Sequence, residues 1–223
     1  MDCSDFWYNP LMIKGITFDI DTTLTFEVSW YLITRKLGAD PQQHSAIFSD
    51  FLENKISYAD AKFRLIRLWQ NTGNANKVFF STIFNEIPLK NEAEKIISYF
   101  KSKGIIICLI TGSVDLYAEM IANRLGVNYF YANTKLIWDK NEEIQDFKYD
   151  KNQGEKKVQQ FKDFCIKLHL SKKDIFVVGD DENDIELFQY TKHGVAVKSP
   201  TSHKIEKFAW KTVTSLSELK DLV

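Results

Sequence analysis

Two kinds of hydrophobic pattern alternate along the chain. The first is a short, almost continuous apolar run: "MIKGITFDI" from Met12, "GIIICLITG" from Gly104, "DIFVVGDD" from Asp174 and "GVAVK" from Gly194. The middle two are rich in Ile and Val throughout, the pattern of strands buried on both faces of a parallel sheet. The second pattern repeats its apolar positions every three or four residues. "NEAEKIISYFKSKG" runs to a glycine C-cap at Gly104. "SVDLYAEMIANRLG" opens with Ser113, carries Asp115 in its first turn and stops at Gly126. "GEKKVQQFKDFCIKLHL" gathers Val158, Phe161, Phe164, Cys165 and Leu168 on one stripe. "NYFYANTKLIW" from Asn128 adds a further strand candidate. Strands alternating with helices of this length predict an α/β fold built on a doubly wound, Rossmann-like parallel sheet.

The spacing of the strands predicts an insertion. About 85 residues lie between Asp19 and Gly104, whereas a crossover between parallel strands needs only a dozen or so. The surplus reads as four helices: "EVSWYLITRKLG", "PQQHSAIFSDFLENK", "SYADAKFRLIRLWQ" and "NKVFFSTIFNEI". The expected organisation is a core domain of residues 1–25 and 89–223, with a helical cap of residues 26–88 over the carboxyl edge of the sheet. Within that cap Trp30, Tyr31, Phe63 and Trp69 read as core rather than as a base-stacking surface.

Composition narrows the function. The 223 residues are 44% hydrophobic and 26% charged, with 29 basic and 30 acidic side chains giving a net charge of −1. The basic residues are scattered, so neither nucleic acid nor an anionic membrane is an expected partner. No apolar run approaches the ~18 residues of a membrane span, and "MDCSDFWYNP" lacks the features of a signal peptide. Cys3, Cys108 and Cys165 are odd in number and widely spaced, which fits reduced thiols in the cytoplasm. His44, His169, His193 and His203 show no zinc-ligand spacing and read as non-functional.

Three of the predicted strands end in polar clusters: Asp19-Ile-Asp21-Thr-Thr, Thr111-Gly112-Ser, and Gly179-Asp180-Asp-Glu-Asn183-Asp184. Parallel strands bring all three to one edge, where open α/β sheets bind their ligands. Asp19 and Asp21 share one side of their strand while Ile20 points to the other. Carboxylates so close raise one another's pKa unless a cation offsets them. Oxygen-only donors favour Mg²⁺ as that cation. Thr111 adds a hydroxyl, helix-start amides add anion donors, and Lys156 or Lys157 opens a helix leading towards Asp180. Such a set suits phosphoryl transfer, where positioning and charge neutralisation dominate.

These motifs resemble those of the haloacid dehalogenase (HAD) superfamily, in its phosphoserine-phosphatase-like branch. "DIDTT" resembles the family's DxDx[TV] motif, "LITG" its Ser/Thr-ended strand, a lysine its third motif, and "GDDEND" its GDxxxD motif, all in the family's order. The helical insertion is similar to the family's C1 cap. The resemblance implies a HAD-like fold and a phosphatase acting on a small phosphorylated metabolite, phosphoserine being one candidate. It implies Asp19 as nucleophile and Asp21 as general acid and base. Mg²⁺ would be held by Asp19, the Asp21 carbonyl and Asp180, with Asp184 supporting the ion's waters or orienting the lysine. Thr111, Gly112 and the lysine would bind the phosphoryl group. Lys157 is preferred because it lies 23 residues before Asp180 and one turn before Phe161. Asp181 and Glu182 read as a solvated turn. Glu27, Arg64 and Asn183 are the candidates for substrate contact, although Glu27 and Arg64 stand about one residue out of the family's register. A phosphotransferase of the same chemistry, or a receiver-like phosphate-sensing module, is the alternative.

Overall fold

The computed structural model describes residues 13–199 and 202–223. Cys3 and the rest of "MDCSDFWYNP" lie outside the described residues. Seven strands form one sheet in the order β4-β3-β2-β1-β5-β6-β7. They are β1 (Gly15–Phe18), β2 (Ile106–Val114), β3 (Tyr129–Trp138), β4 (Ile144–Tyr149), β5 (Ile175–Gly179), β6 (Gly194–Val197) and β7 (Lys211–Val213). All neighbours pair in parallel except β3 and β4, which form an antiparallel hairpin at one edge.

Between β1 and β2 the chain folds as α1 (Ser29–Leu37), α2 (Pro41–Leu52), α3 (Tyr58–Gln70), α4 (Lys77–Glu86) and α5 (Ala93–Ser102). The local chemistry explains the boundaries. Asp40, Ser57 and Asn76 each accept a backbone N–H in the first turn of the helix that follows, and Pro41 opens α2. Gly38 ends α1 in the left-handed conformation at φ 89°. The chain leaves and re-enters the sheet side by side, through an antiparallel bridge between Thr25 and Leu89. The remaining helices are α6 (Asp115–Leu125), α7 (Gln153–Leu168) and α8 (Ile185–Thr191).

Strand alternation divides the core. Ile107 and Leu109 of β2 and Phe176 and Val178 of β5 pack with α5 and α6. Cys108, Ile110, Ile175 and Val177 pack with Phe161 and Phe164 of α7 on the opposite face. Helices cover both faces, which is why β5 and the first half of β2 are apolar without alternation.

Three details depart from the sequence reading. The helix expected from Ser113 starts at Asp115, because β2 continues through a bulge between Thr111 and Val114. The amides beside Thr111 therefore belong to a strand extension and not to a helix start. Strands β4 and β7 were not foreseen. Of the four aromatic residues assigned to the cap interior, Trp69 is fully buried while Phe63 is exposed. Trp30 stacks on Trp69 and meets Phe147 of β4 edge-on. The hairpin thus completes a cluster that the helices alone leave open.

Candidate active site

The turn after β1 carries the first two carboxylates. The Asp19 amide donates to the Val178 carbonyl at 2.9 Å, extending the pairing with β5 past the last residue of β1. Ile20 is fully buried, which fixes the chain between the two acids. Thr22 follows with φ 55°, a costly conformation for a β-branched residue and one found where function demands it. Its hydroxyl donates to Asp180 Oδ2 at 2.6 Å, and Thr23 donates to Asp180 Oδ1 at 2.7 Å. The Lys90 ammonium holds the Thr22 carbonyl from the other side. The turn is therefore tied to the end of β5, 158 residues away.

Lys157 is the centre of the charge arrangement. It has no exposed surface, and its ammonium donates to Asp19 Oδ1 at 2.7 Å, Asp184 Oδ1 at 2.7 Å and Asn183 Oδ1 at 2.6 Å. Three acceptors satisfy three N–H donors. Burial opposes its charge, but Asp184 and Asp19 more than compensate, and its pKa is raised. Lys156 instead lines a surface groove beside Asn133, Lys135 and Lys148.

The carboxylates outnumber this cation. Burial raises the Asp19 pKa well above the usual range; Lys157 opposes the shift, while Asp184, Asp180 and Asp21 add to it. Burial also takes Asp184 up to about 6 despite Lys157. Asp184 Oδ2 is buried with no hydrogen-bond partner. Asp184 does not cap α8 through its side chain; its role is at Lys157. Gly179 makes room for it, since a Cβ there would stand 2.2 Å from Asp184 Oδ2.

Asp21 is held differently. Its Oδ2 accepts from the Ser29 amide at 3.1 Å and the Ser29 hydroxyl at 2.7 Å, at the start of α1. Its Oδ1 is buried and unpartnered. Burial raises its pKa to about 6, and the Ser29 hydrogen bonds limit the rise. A carboxyl that titrates near neutrality is suited to give and take a proton. Ser29 Oγ also contacts Ser113 Oγ, linking α1 to the end of β2.

Asp19, Asp21, Thr111, Gly112 and Asn183 line one cavity of about 670 Å³. Asp181 and Glu182, read from the sequence as a solvated turn, also reach it. Glu27 does not: it pairs with Arg35 through two hydrogen bonds of 2.9 Å. Arg64 is exposed and lies off the cavity wall, which Lys62 lines instead. Lys62, Ser29 and Gln153 are the neighbours the sequence reading missed. Only Lys62 left a signal there: the Ala61, Leu65 and Trp69 stripe sets the phase of α3 and places Lys62 beside it.

Among the described residues, no three His, Cys, Asp or Glu side chains form a ready-made metal cage. Mg²⁺ needs none, because it commonly takes one or two carboxylates and completes its shell with water and phosphate. Oxygen-only donors, more buried carboxylates than ammonium groups, and an orphaned Asp184 oxygen fit such an ion.

Known proteins share this arrangement of elements. At 23% identity the chain matches a phosphoserine phosphatase of Methanocaldococcus jannaschii over 79% of its own length and 81% of the relative's. At 28% identity it matches one from Campylobacter jejuni over 79% and 83%. A HAD family hydrolase from Salmonella enterica serovar Typhi superposes with TM-score 0.77 at 21% identity, covering 92% of this chain and 68% of that one. A phospho-aspartyl intermediate analogue of phosphoserine phosphatase superposes with TM-score 0.72 at 20% identity, covering 94% and 98%. The model of the haloacid dehalogenase-like hydrolases matches residues 13–190, and the chain belongs to that family.

Proposed function

We propose that the chain is a Mg²⁺-dependent phosphomonoester hydrolase that works through an aspartyl-phosphate on Asp19, with α1–α4 forming a cap over the site. The observation that carries this reading is the shared cavity. It exposes a carboxylate held by a buried lysine, Asp19, next to a carboxyl titrating near neutrality, Asp21. The Asp19 carboxylate attacks phosphorus as the bond to the leaving oxygen breaks, and Asp21 gives that oxygen its proton. Asp21 then takes a proton from water as the water attacks the phosphoryl group, which frees Asp19 and inorganic phosphate. Lys157 fixes Asp19 and offsets its charge, and Thr111 and Gly112 hold the phosphoryl oxygens. Asp19, the Asp21 carbonyl and Asp180 would hold Mg²⁺, which would supply positive charge to those oxygens. The relatives' names make phosphoserine one candidate substrate.

With 4-nitrophenyl phosphate and Mg²⁺, Asp19→Asn is expected to abolish turnover, and Asp21→Asn to slow it and accumulate acid-stable phosphoenzyme. Chelation stops the reaction and Mg²⁺ restores it. Metal-dependent turnover unchanged in Asp19→Asn removes the nucleophile assignment.

A further inference from the structure

The leaving group has to occupy the rest of the cavity, and the walls there differ from the acidic edge. Helix α2 buries only His44. Its stripe of Ile47, Phe48, Phe51 and Leu52 faces the cavity, with Phe48 41% and Leu52 62% exposed. Trp30 and Tyr31 of α1, Tyr58 and Leu65 of α3, and Phe147 and Tyr149 of β4 complete the wall. The acidic residues lining the cavity, Asp19, Asp21, Asp181 and Glu182, all belong to the ends of β1 and β5.

A zwitterionic leaving group such as serine needs an anion for its ammonium and a free cation for its carboxylate. The wall formed by α1–α3 and β4 contributes no carboxylate to the lining. Its cation, Lys62, is already paired with Asp146 at 2.8 Å. Glu27, turned to Arg35, offers no help. A quaternary ammonium fares no better. Lys62 is a like charge, and Lys151 sits over the rings of Phe51 and Tyr58 at 5.6 and 5.1 Å, supplying the cation that those faces would take. What the wall matches is uncharged apolar surface, and a cavity of this size accommodates far more than a three-carbon amino acid.

Resting on the hydrolase reading above, we propose that the substrate is the phosphate ester of an alcohol bearing an uncharged aromatic or bulky apolar group. That group packs between α2 and the Trp30–Phe147 side of the cavity. The apolar wall is continuous with Asp19 and Thr111 in one enclosure, so its occupant is the part of the molecule attached to the phosphoryl group.

The test compares 2-phenylethyl phosphate, ethyl phosphate, O-phosphoserine and phosphocholine with the full chain and Mg²⁺. All are esters of primary alcohols, so leaving-group chemistry varies little. The expected kcat/KM for the phenylethyl ester exceeds the other three by about tenfold or more. Phe51→Ala and Phe48→Ala lower the phenylethyl-to-ethyl ratio, with ethyl phosphate turnover reporting that each variant is folded. O-phosphoserine or phosphocholine equal to or better than the phenylethyl ester overturns the inference while leaving the hydrolase standing. A ratio unchanged in both variants overturns it as well. If no ester is turned over, the hydrolase reading fails, and calorimetry decides the inference by itself. Tighter binding of the phenylethyl than the ethyl ester, weakened by Phe51→Ala, supports it; equal binding overturns it.

Discussion

The two walls of the cavity are built on opposite principles. At the sheet edge Asp19, Lys157, Asp180 and Asp184 are buried, and the charges there are held by specific partners: Lys157 by three acceptors, Asp180 by two threonine hydroxyls, Asp21 by the amide and hydroxyl of Ser29. Opposite it, α2 presents an apolar stripe of which Phe48 and Leu52 stay exposed. Misplacing a charge in a low-dielectric site is expensive, so the edge is over-determined and tolerates little change. An apolar wall asks only for shape and volume, and it can be altered without moving a charge. Such a division lets one chemistry serve different leaving groups.

The sharpest way to break the comparison is at Lys157. Lys157→Met keeps the volume and leaves Asp19 and Asp184 buried without their shared ammonium. Urea unfolding in chelator at pH 7 should show a loss of about 3–5 kcal/mol, with hydrolysis lost as well. A loss below about 1 kcal/mol contradicts the account of the edge as a charge-compensated site. Its counterpart in the helices between β1 and β2 is His44, whose Nδ1 lies 2.7 Å from the Thr34 hydroxyl, which in turn accepts from the Trp69 indole. Burial lowers its pKa from 6.5 to about 4. The fold favours the neutral ring, so the unfolded chain binds a proton more readily. Stability is then complete above about pH 6.5 and falls as the pH drops towards 4, by at most about 3 kcal/mol. His44→Asn should flatten this part of the stability–pH profile; an identical acid limb removes the assignment.

The same division governs what the sequence revealed. The apolar strands β1, β2, β5 and β6 and the amphipathic helices α1–α4 were legible because burial on two faces or one stripe leaves a strong periodic signal. β4, "IQDFKY", alternates only imperfectly, and "KTV" of β7 is three residues long. Edge strands carry few apolar positions, and their pairing partners define them. Asp19, Asp21, Thr111, Asp180 and Asp184 stood out as polar residues ending apolar runs. Ser29 and Gln153 did not, because their contacts join segments far apart in the chain and an ordinary Ser or Gln advertises none of them.

Gly179 sharpens the edge from the backbone side. An alanine Cβ would stand 2.2 Å from Asp184 Oδ2 and 3.1 Å from its Cβ, so Asp184 must move as a whole and not merely rotate its carboxyl. Gly179→Ala should lower stability by about 1–3 kcal/mol in denaturant unfolding, and hydrolysis should fall as Asp184 leaves Lys157. Full stability and activity would show that Asp184 has slack the geometry does not suggest.

The smallest effect is expected at Arg64, and it tests the apolar wall by contrast with Lys62. Helix α3 packs through Ala61, Leu65, Ile66 and Trp69. At about 100° per residue, Lys62 stands beside that stripe at the cavity, and Arg64 is turned about 200° from Lys62 into solvent. Arg64→Ala should therefore change stability by less than about 0.5 kcal/mol and leave kcat/KM within roughly twofold for charged and apolar esters alike. Lys62→Ala removes a cavity-lining cation and frees Asp146, so it should shift the balance between those esters. Should Arg64→Ala instead weaken turnover of O-phosphoserine selectively, the arginine reaches the substrate in the working enzyme. The cap would then hold a charged leaving group after all.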